Sequence, residues 1–454
     1  MKELLSVGLD VGTTTTQMVI AKLTLQNSAT GFAVPKMVIS RREIIYRSPV
    51  CFTPLKSGDL VDGEKIRQMV EEFYQAAGIR KSQVDTGAVI ITGETSRKEN
   101  AAAVLQALSG FAGDFVAATA GPDLESVLAA KGAGAVAFSR QSGKPVLHID
   151  IGGGTSNLAL CVDGKIVRTG CLNVGGRLIK TEKNGKISYV SPVLGGLTDL
   201  QPGDYPAPGQ VEAIAKILAS ALEMAAGLRP TTALLDKLLT KETAAKWIIP
   251  KEAVVISFSG GVADCIEKPA EGFHDMGVQL GQAIKNSLLC RGEYRLGTET
   301  IRATVIGAGS HSAQLSGSTV FCKDVTLPLK NLPVVTFDES EQESEKLPTL
   351  IRQRAAQKDG KTVVLAFPGF CSPTYAQVAA LAEKLLAAGE GALLVCLEAD
   401  MAKALGQYLC LKAPQKPVLC IDSIQAGQES YLDIGMPVGC AFPVVVKTLV
   451  LESQ

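Results

Sequence analysis

Two short stretches of the chain set an aspartate in the same surroundings. Asp10 ends the apolar run Leu5-Ser-Val-Gly-Leu and is followed by Val11, Gly12, Thr13, Thr14, Thr15, Thr16 and Gln17. Asp150 ends Val146-Leu-His-Ile and is followed by Ile151, Gly152, Gly153, Gly154, Thr155, Ser156 and Asn157. A tight glycine-rich turn lets successive backbone N–H groups point into one concavity, which binds an anion. Glycine permits close approach, and threonine and serine hydroxyls add donors. A carboxylate repels phosphate, but it holds Mg²⁺ or its water shell, which neutralises the β- and γ-phosphates of a nucleotide. Asp10 and Asp150 are therefore the candidate metal ligands. Gly12, Thr13, Thr14 and Thr15 in one turn, with Gly152, Gly153, Gly154 and Thr155 in the other, are the candidate phosphate donors. Either turn alone also reads as an ordinary hairpin with a solvent-facing aspartate. The matching flanks favour two turns that close on one polyphosphate, with a nucleotide triphosphate and Mg²⁺ between them.

A phosphate clamp still needs a seat for base and ribose. The strand-like run 253–259 ends in Ser259-Gly260-Gly261, where paired glycines would let backbone lie flat against an adenosine; a plain strand-to-helix turn reads equally well. Asn173-Val-Gly175-Gly176 is a second candidate, and Asp275 could line the pocket or cap the helix that follows it. Other suggestive patterns fail on context. Gly132-Ala-Gly134 follows a helix instead of a strand, so it is no dinucleotide fingerprint. Asp359-Gly-Lys-Thr362 lacks the upstream glycine of a P-loop. His148 reads as a packed strand residue, and His311 has no motif partner.

The elements that must carry these residues are legible as apolar patterns. Residues 4–10 and 17–23 read as one hairpin, 146–151 and 157–162 as another. Short strands are expected at 87–92, 253–259 and 302–306. Helices are expected at 64–77, 123–131, 211–222 and 276–289, the second entered through Gly121-Pro122. The charged run Asp338–Lys346 reads as a solvated linker or helix edge. Beyond it, strands at 362–367, 392–397 and 418–422 alternate with helices near 374–388 and 400–409, a separate α/β unit. The expected division is a first lobe over 1–145, a second over 146–337 and a small C-terminal α/β domain over 345–454.

With 454 residues the chain exceeds one core. Its 45 basic and 45 acidic residues cancel, which disfavours nucleic acid as a partner. The 11 cysteines are scattered without a Cys-x-x-Cys pair, so buried free thiols in a reducing, cytoplasmic setting are expected. No long apolar run suggests a membrane span.

Asp10-Val-Gly-Thr-Thr, Asp150-Ile-Gly-Gly-Gly-Thr and Ser259-Gly-Gly, in that order, resemble the phosphate-1, phosphate-2 and adenosine motifs of the actin, sugar-kinase and heat-shock-chaperone ATPase superfamily. Met276-Gly-Val-Gln-Leu-Gly-Gln resembles the connecting helix that follows. That likeness implies a two-lobed actin-like α/β fold with duplicated β-hairpin phosphate motifs. It also implies a carboxylate at a helix start that orients the attacking water. Glu125 fits that place, Asp123 competes for it, and helix capping is the plainer role for either.

A closer resemblance is to the EutA family of ethanolamine utilisation proteins. It is carried by residues 4–17, Ile91-Thr-Gly-Glu-Thr, Ala120-Gly-Pro-Asp-Leu-Glu-Ser-Val, Cys171-Leu-Asn-Val-Gly-Gly-Arg-Leu and Arg302-Ala-Thr-Val-Ile-Gly-Ala-Gly-Ser-His. The family implies a chaperone-like, ATP-dependent reactivating factor for ethanolamine ammonia-lyase, an adenosylcobalamin enzyme, which removes damaged cobalamin so that intact coenzyme can enter. A small-molecule kinase and an actin-like nucleotide-dependent scaffold are the alternatives within the superfamily. Homo-oligomerisation and association with a bacterial microcompartment stay open.

Overall fold

A computed structural model describes residues 2–12, 15–27, 37–57, 60–92, 116–119, 122–244, 247–250, 254–268, 274–311, 313–316, 320–358, 362–427, 430–437 and 442–448. The first glycine turn joins β1 (Lys2–Val11) to β2 (Thr15–Asn27), which pair antiparallel with Asp10 opposite Gln17. β3 (Met37–Arg47) lies outside β2, while β4 (Thr86–Ile91) and β5 (Val116–Thr119) add in parallel beyond β1. The sheet order is β3-β2-β1-β4-β5.

The second sheet repeats this plan. β6 (Val146–Ile151) and β7 (Ser156–Val162) form the hairpin, with Asp150 opposite Asn157, and β8 (Lys165–Leu172) lies outside. β9 (Val255–Ser259) and β10 (Tyr294–Leu296) add in parallel, for an order β8-β7-β6-β9-β10. Strand order, pairing sense and the aspartate at the carboxyl end of the central strand all coincide. The chain thus has the two-lobed α/β fold of actin-like ATPases.

Apolar periodicity decides which face of each sheet is covered by what. α1 (Gly63–Ala77) turns Ile66, Val70, Phe73 and Tyr74 onto Val7, Leu9, Met18 and Val89 of the first sheet. Asp62 caps its start by accepting from the Lys65 N–H, and Gly78, at φ 66°, ends it in the left-handed conformation that glycine tolerates. On the second sheet, α4 (Gln210–Ala225) and α5 (Gly277–Lys285) cover Leu147, Ile149, Ile151 and Phe258. Each such buried side chain contributes roughly 1.5–3 kcal/mol.

The opposite faces of the two sheets, which carry Asp10 and Asp150, look toward a helix pair. α2 (Pro122–Gly132) and α3 (Ala135–Ser142) send Ala130 and Ala135 onto Val146, Ala159 and Val255. α6 (Ala303–His311) sends Val305 and Ile306 onto Val19, and Ala308 joins Leu128 of α2 against Ala88 and Ile90. Two glycines let α2 and α6 touch backbone to backbone. A Cβ on Gly132 would lie 1.8 Å from the Ala303 carbonyl oxygen, and one on Gly307 would lie 2.1 Å from that of Leu128. Residues 302–306 are therefore not the expected strand. A five-residue stretch with only Ala303, Val305 and Ile306 apolar does not distinguish the periods, and here small residues serve a close helix crossing.

The third unit is an eight-stranded sheet whose central strands Leu329–Thr336, Val364–Phe367, Leu393–Leu397 and Val418–Ile421 run parallel. Helices Tyr375–Ala387 and Ala402–Lys412 fall where expected. The sheet also takes strands from Ala313–Leu315 and Phe321–Lys323, ahead of the expected start at 345. The acidic run is the short helix Glu339–Glu343, capped reciprocally by Asp338 and Glu341.

Candidate functional site

The two glycine turns close in the same way. Gly12 N–H donates to the Thr15 carbonyl at 2.9 Å, and Gly152 N–H donates to the Thr155 carbonyl at 2.9 Å. Each turn is buttressed at the carbonyl of the equivalent glycine. The Thr53 hydroxyl donates to the Gly12 carbonyl at 2.7 Å, and Gly176 N–H donates to the Gly152 carbonyl at 3.0 Å. A Cβ on Gly154 would meet no atom within 4 Å, so that part of the second turn faces open space. Thr13 and Thr14 lie outside the described residues.

Both aspartates are buried, and each is held by a hydroxyl. Thr92, just past β4, donates to Asp10 Oδ1 at 2.8 Å. Ser259, ending β9, donates to Asp150 Oδ1, and Thr304 of α6 also bonds to Asp150. Burial raises the Asp10 carboxyl to about 7; Thr92 and Gln17 oppose that shift, while the charge of Asp150 reinforces it. Burial likewise raises Asp150 to about 6, against the hydrogen bonds from Ser259 and Thr304. Two carboxylates that feel each other's charge in a desolvated cleft form a site that favours either a proton or a cation.

The residues opposite them sharpen this. Gln17 donates its amide N–H to the Ile301 carbonyl at 2.8 Å, and Asn157 donates its own to Glu125 Oε2 at 2.8 Å. Those partners accept only, so they fix the orientation of both amides. The remaining amide oxygens, Gln17 Oε1 and Asn157 Oδ1, are buried and have no hydrogen-bond partner. A buried polar atom left unsatisfied is costly, and a matched pair beside two carboxylates calls for a positively charged or water-bearing occupant. The donor set consists of oxygen atoms alone, which suits a hard divalent cation that keeps part of its water shell. The residues present therefore fit Mg²⁺.

Glu125 and Asp123, both on the first turn of α2, are separated by their partners. Glu125 is 8% exposed and sits on Asn157, the cross-strand neighbour of Asp150. Asp123 accepts from the Thr169 hydroxyl of β8 at 2.6 Å, one strand further out. The geometry places Glu125, not Asp123, on the cross-strand neighbour of Asp150.

The glycines of the expected base pocket divide. Gly260, at φ 87°, lets the end of β9 approach β6, where a Cβ would lie 2.2 Å from the Ile151 carbonyl oxygen. At Gly261 a Cβ would meet only the Ile301 side chain, at 3.7 Å, so this residue has room beside it. Gly175 and Gly176 are packed beneath the second turn, and a Cβ on Gly175 would lie 2.3 Å from the Gly153 carbonyl oxygen. Their glycine character is accounted for by this buttress. Asp275 accepts from Gly277 N–H at 2.9 Å at the start of α5; burial raises its carboxyl while Arg177 and Lys180 lower it. Sequence patterns missed Thr92, Thr304 and the amides of Gln17 and Asn157 as members of the site. The one available signal was that Gln17 and Asn157 stand the same seven places after their aspartates.

Among the described residues no helix is long and apolar enough to cross a membrane. The family model described as ethanolamine utilisation protein EutA matches residues 2–452. A relative from Salmonella typhimurium named ethanolamine ammonia-lyase reactivase EutA is 40% identical, spanning 100% of this chain and 99% of its own length. A relative of the same name from Escherichia coli is 39% identical over the same shares. Among solved structures, an Aquifex aeolicus member of the Ppx/GppA family is 14% identical with a TM-score of 0.42, covering 67% of this chain and 97% of that one.

Proposed function

The chain belongs to the EutA family of ethanolamine utilisation proteins, and on that premise we propose that it is an ATP-dependent reactivating factor for ethanolamine ammonia-lyase. It releases damaged cobalamin so that intact adenosylcobalamin can bind. The observation that carries the nucleotide part is the pair of buried carboxylates, each faced by an amide whose oxygen lacks a partner. The lyase as partner is supported by the relatives' name across the whole length of the chain.

In this reading Asp10 and Asp150, with Gln17 Oε1 and Asn157 Oδ1, hold Mg²⁺ and its waters. Bound there, Mg²⁺ neutralises the triphosphate and draws charge from its leaving oxygen. Backbone N–H groups and hydroxyls of residues 12–15 and 152–155 grip the phosphate oxygens. Glu125, kept in place by Asn157, orients the water whose oxygen bonds to the γ-phosphorus as the bridging oxygen leaves with ADP. Gly260 and Gly261 border the adenosine seat. Asp275 and the Gly175-Gly176 buttress shape its wall.

Hydrolysis alone releases no cobalamin. The lobes meet through α2 and α6, so loss of the γ-phosphate changes how the two hairpins are held together. The output must be a different affinity for the lyase in the two states. The test mixes the full chain with lyase inactivated by damaged cobalamin, fresh adenosylcobalamin, ATP and Mg²⁺. Lyase activity should return only when ATP and Mg²⁺ are both present. Equal recovery without ATP would overturn the nucleotide part, and no recovery in the complete mixture would overturn the partner.

A further inference from the structure

One buried imidazole lies directly behind the phosphate-2 aspartate. His148 is 0% exposed, on β6 two residues before Asp150 and on the same face of the sheet. Its Nδ1 lies 3.1 Å from Ser257 Oγ and its Nε2 lies 2.9 Å from Ser259 Oγ. Both serines are on β9, in register with His148 and Asp150 respectively. Ser259 in turn bonds to Asp150 Oδ1.

Hydrogen counting gives this chain a single direction. A serine hydroxyl has one hydrogen, and an ionised carboxylate can only accept. The Ser259 hydrogen therefore goes to Asp150, and its oxygen must accept from His148 Nε2–H. Nδ1 faces the Ser257 hydroxyl, which can donate to it, so one N–H at Nε2 satisfies every partner of the ring. Nδ1 is then bare and accepts from the Ser257 hydroxyl.

We propose that His148 is a positioning residue for Asp150: locked as the Nε2–H tautomer between Ser257 and Ser259, it holds the Ser259 hydroxyl on Asp150 Oδ1 and so fixes the rotation of that carboxylate toward the cleft. This rests on the reading of Asp150 as a metal ligand and extends it one layer into the protein. A rotated carboxylate presents its oxygens at the wrong angle to a cation with strict octahedral demands. Loss of partners behind a metal ligand weakens binding by about 10–100-fold.

Two measurements test it on the full chain. In ¹⁵N-histidine-labelled protein, with signals assigned by loss in His148→Gln among only three histidines, His148 should show the Nε2–H tautomer. An Nδ1–H tautomer would overturn the proposal without any metal being present. Mn²⁺ affinity in the presence of a non-hydrolysable ATP analogue should fall about tenfold or more in His148→Leu. In His148→Gln, whose amide N–H can reach Ser259, much of that affinity should return. If His148→Leu folds and binds Mn²⁺ like the wild type, His148 is only packing. If the wild type binds no Mn²⁺ with the analogue, the metal reading itself fails.

Discussion

The two lobes share a turn but not what lies behind it. With Asp10 set on Asp150, the turn-closing hydrogen bond, the amide opposite and the strand order coincide. One layer back, the positions of His148, Ser257 and Ser259 correspond to Gly8, Ala88 and Ile90. The first lobe thus rests its aspartate on an apolar shelf, where Ala88 and Ile90 pack on Leu128 and Ala308, and supplies one hydroxyl from Thr92. The second uses a polar chain that ends in Ser259. What faces the cleft is matched, and what merely supports it is free to differ. The same carboxylate can be held by a short direct bond or by a buried relay.

The largest expected effect asks whether matched turns mean matched work. Asp10→Asn and Asp150→Asn should each cut Mg²⁺-dependent ATP hydrolysis by about 10²-fold or more, comparable to losing one preorganised electrostatic group. Each variant should keep its far-UV circular dichroism, because asparagine preserves the shape and can still accept from Thr92 or Ser259. A large loss for one and none for the other would break the equivalence and give the metal to a single lobe.

A second variant probes how the lobes communicate. Gly307→Ala would drive a Cβ to 2.1 Å from the Leu128 carbonyl oxygen, so α6 must move off α2. The overpacking should cost about 1–3 kcal/mol of stability. Because Thr304, one turn earlier on α6, touches Asp150, the same shift should raise the Mg²⁺ requirement for hydrolysis. A variant with lower melting temperature but an unchanged Mg²⁺ optimum would confine this crossing to a structural role.

The sequence was most readable where backbone geometry is set locally. Glycine and threonine after an apolar strand signal a tight turn locally, so both hairpins and their aspartates were visible before any fold. The partners of those aspartates were not. Thr92 follows another strand, Thr304 is on a helix far along the chain, and a hydroxyl in an apolar run carries no pattern of its own. Residues 302–306 misled because three apolar residues among five suit a strand or a helix, and the glycine contact that decides it belongs to two distant segments. Ala313–Leu315 was invisible for a similar reason: its partner in the third sheet is Pro443–Thr448, which no local period announces.

The smallest effect separates the lobes by stability, not by turnover. Asp10 rises from 3.8 to about 7 and Asp150 from 3.8 to about 6, each through burial. A folded-state value above the unfolded one means that the native protein holds the extra proton. The resulting stability is fully present below pH 3.8 and is lost as pH rises through about 6 for Asp150 and about 7 for Asp10. At pH 8 without Mg²⁺ both carboxylates are charged and buried with hydroxyl partners but no counter-charge, so a neutral isostere should relieve the molecule. Asp10→Asn should therefore melt higher than the wild type at pH 8 in EDTA, by roughly 1–3 kcal/mol or a few degrees. Asp150→Asn should gain less, in keeping with its smaller shift. At pH 5 the differences should narrow, and toward pH 3.8 they should close. Saturating Mg²⁺ and nucleotide at pH 8 should reverse the order, because only the wild type then gains binding energy in the folded state. Equal melting temperatures for wild type and both variants across this range would mean that the two carboxylates are not the desolvated pair described, and the metal would have to be sought elsewhere.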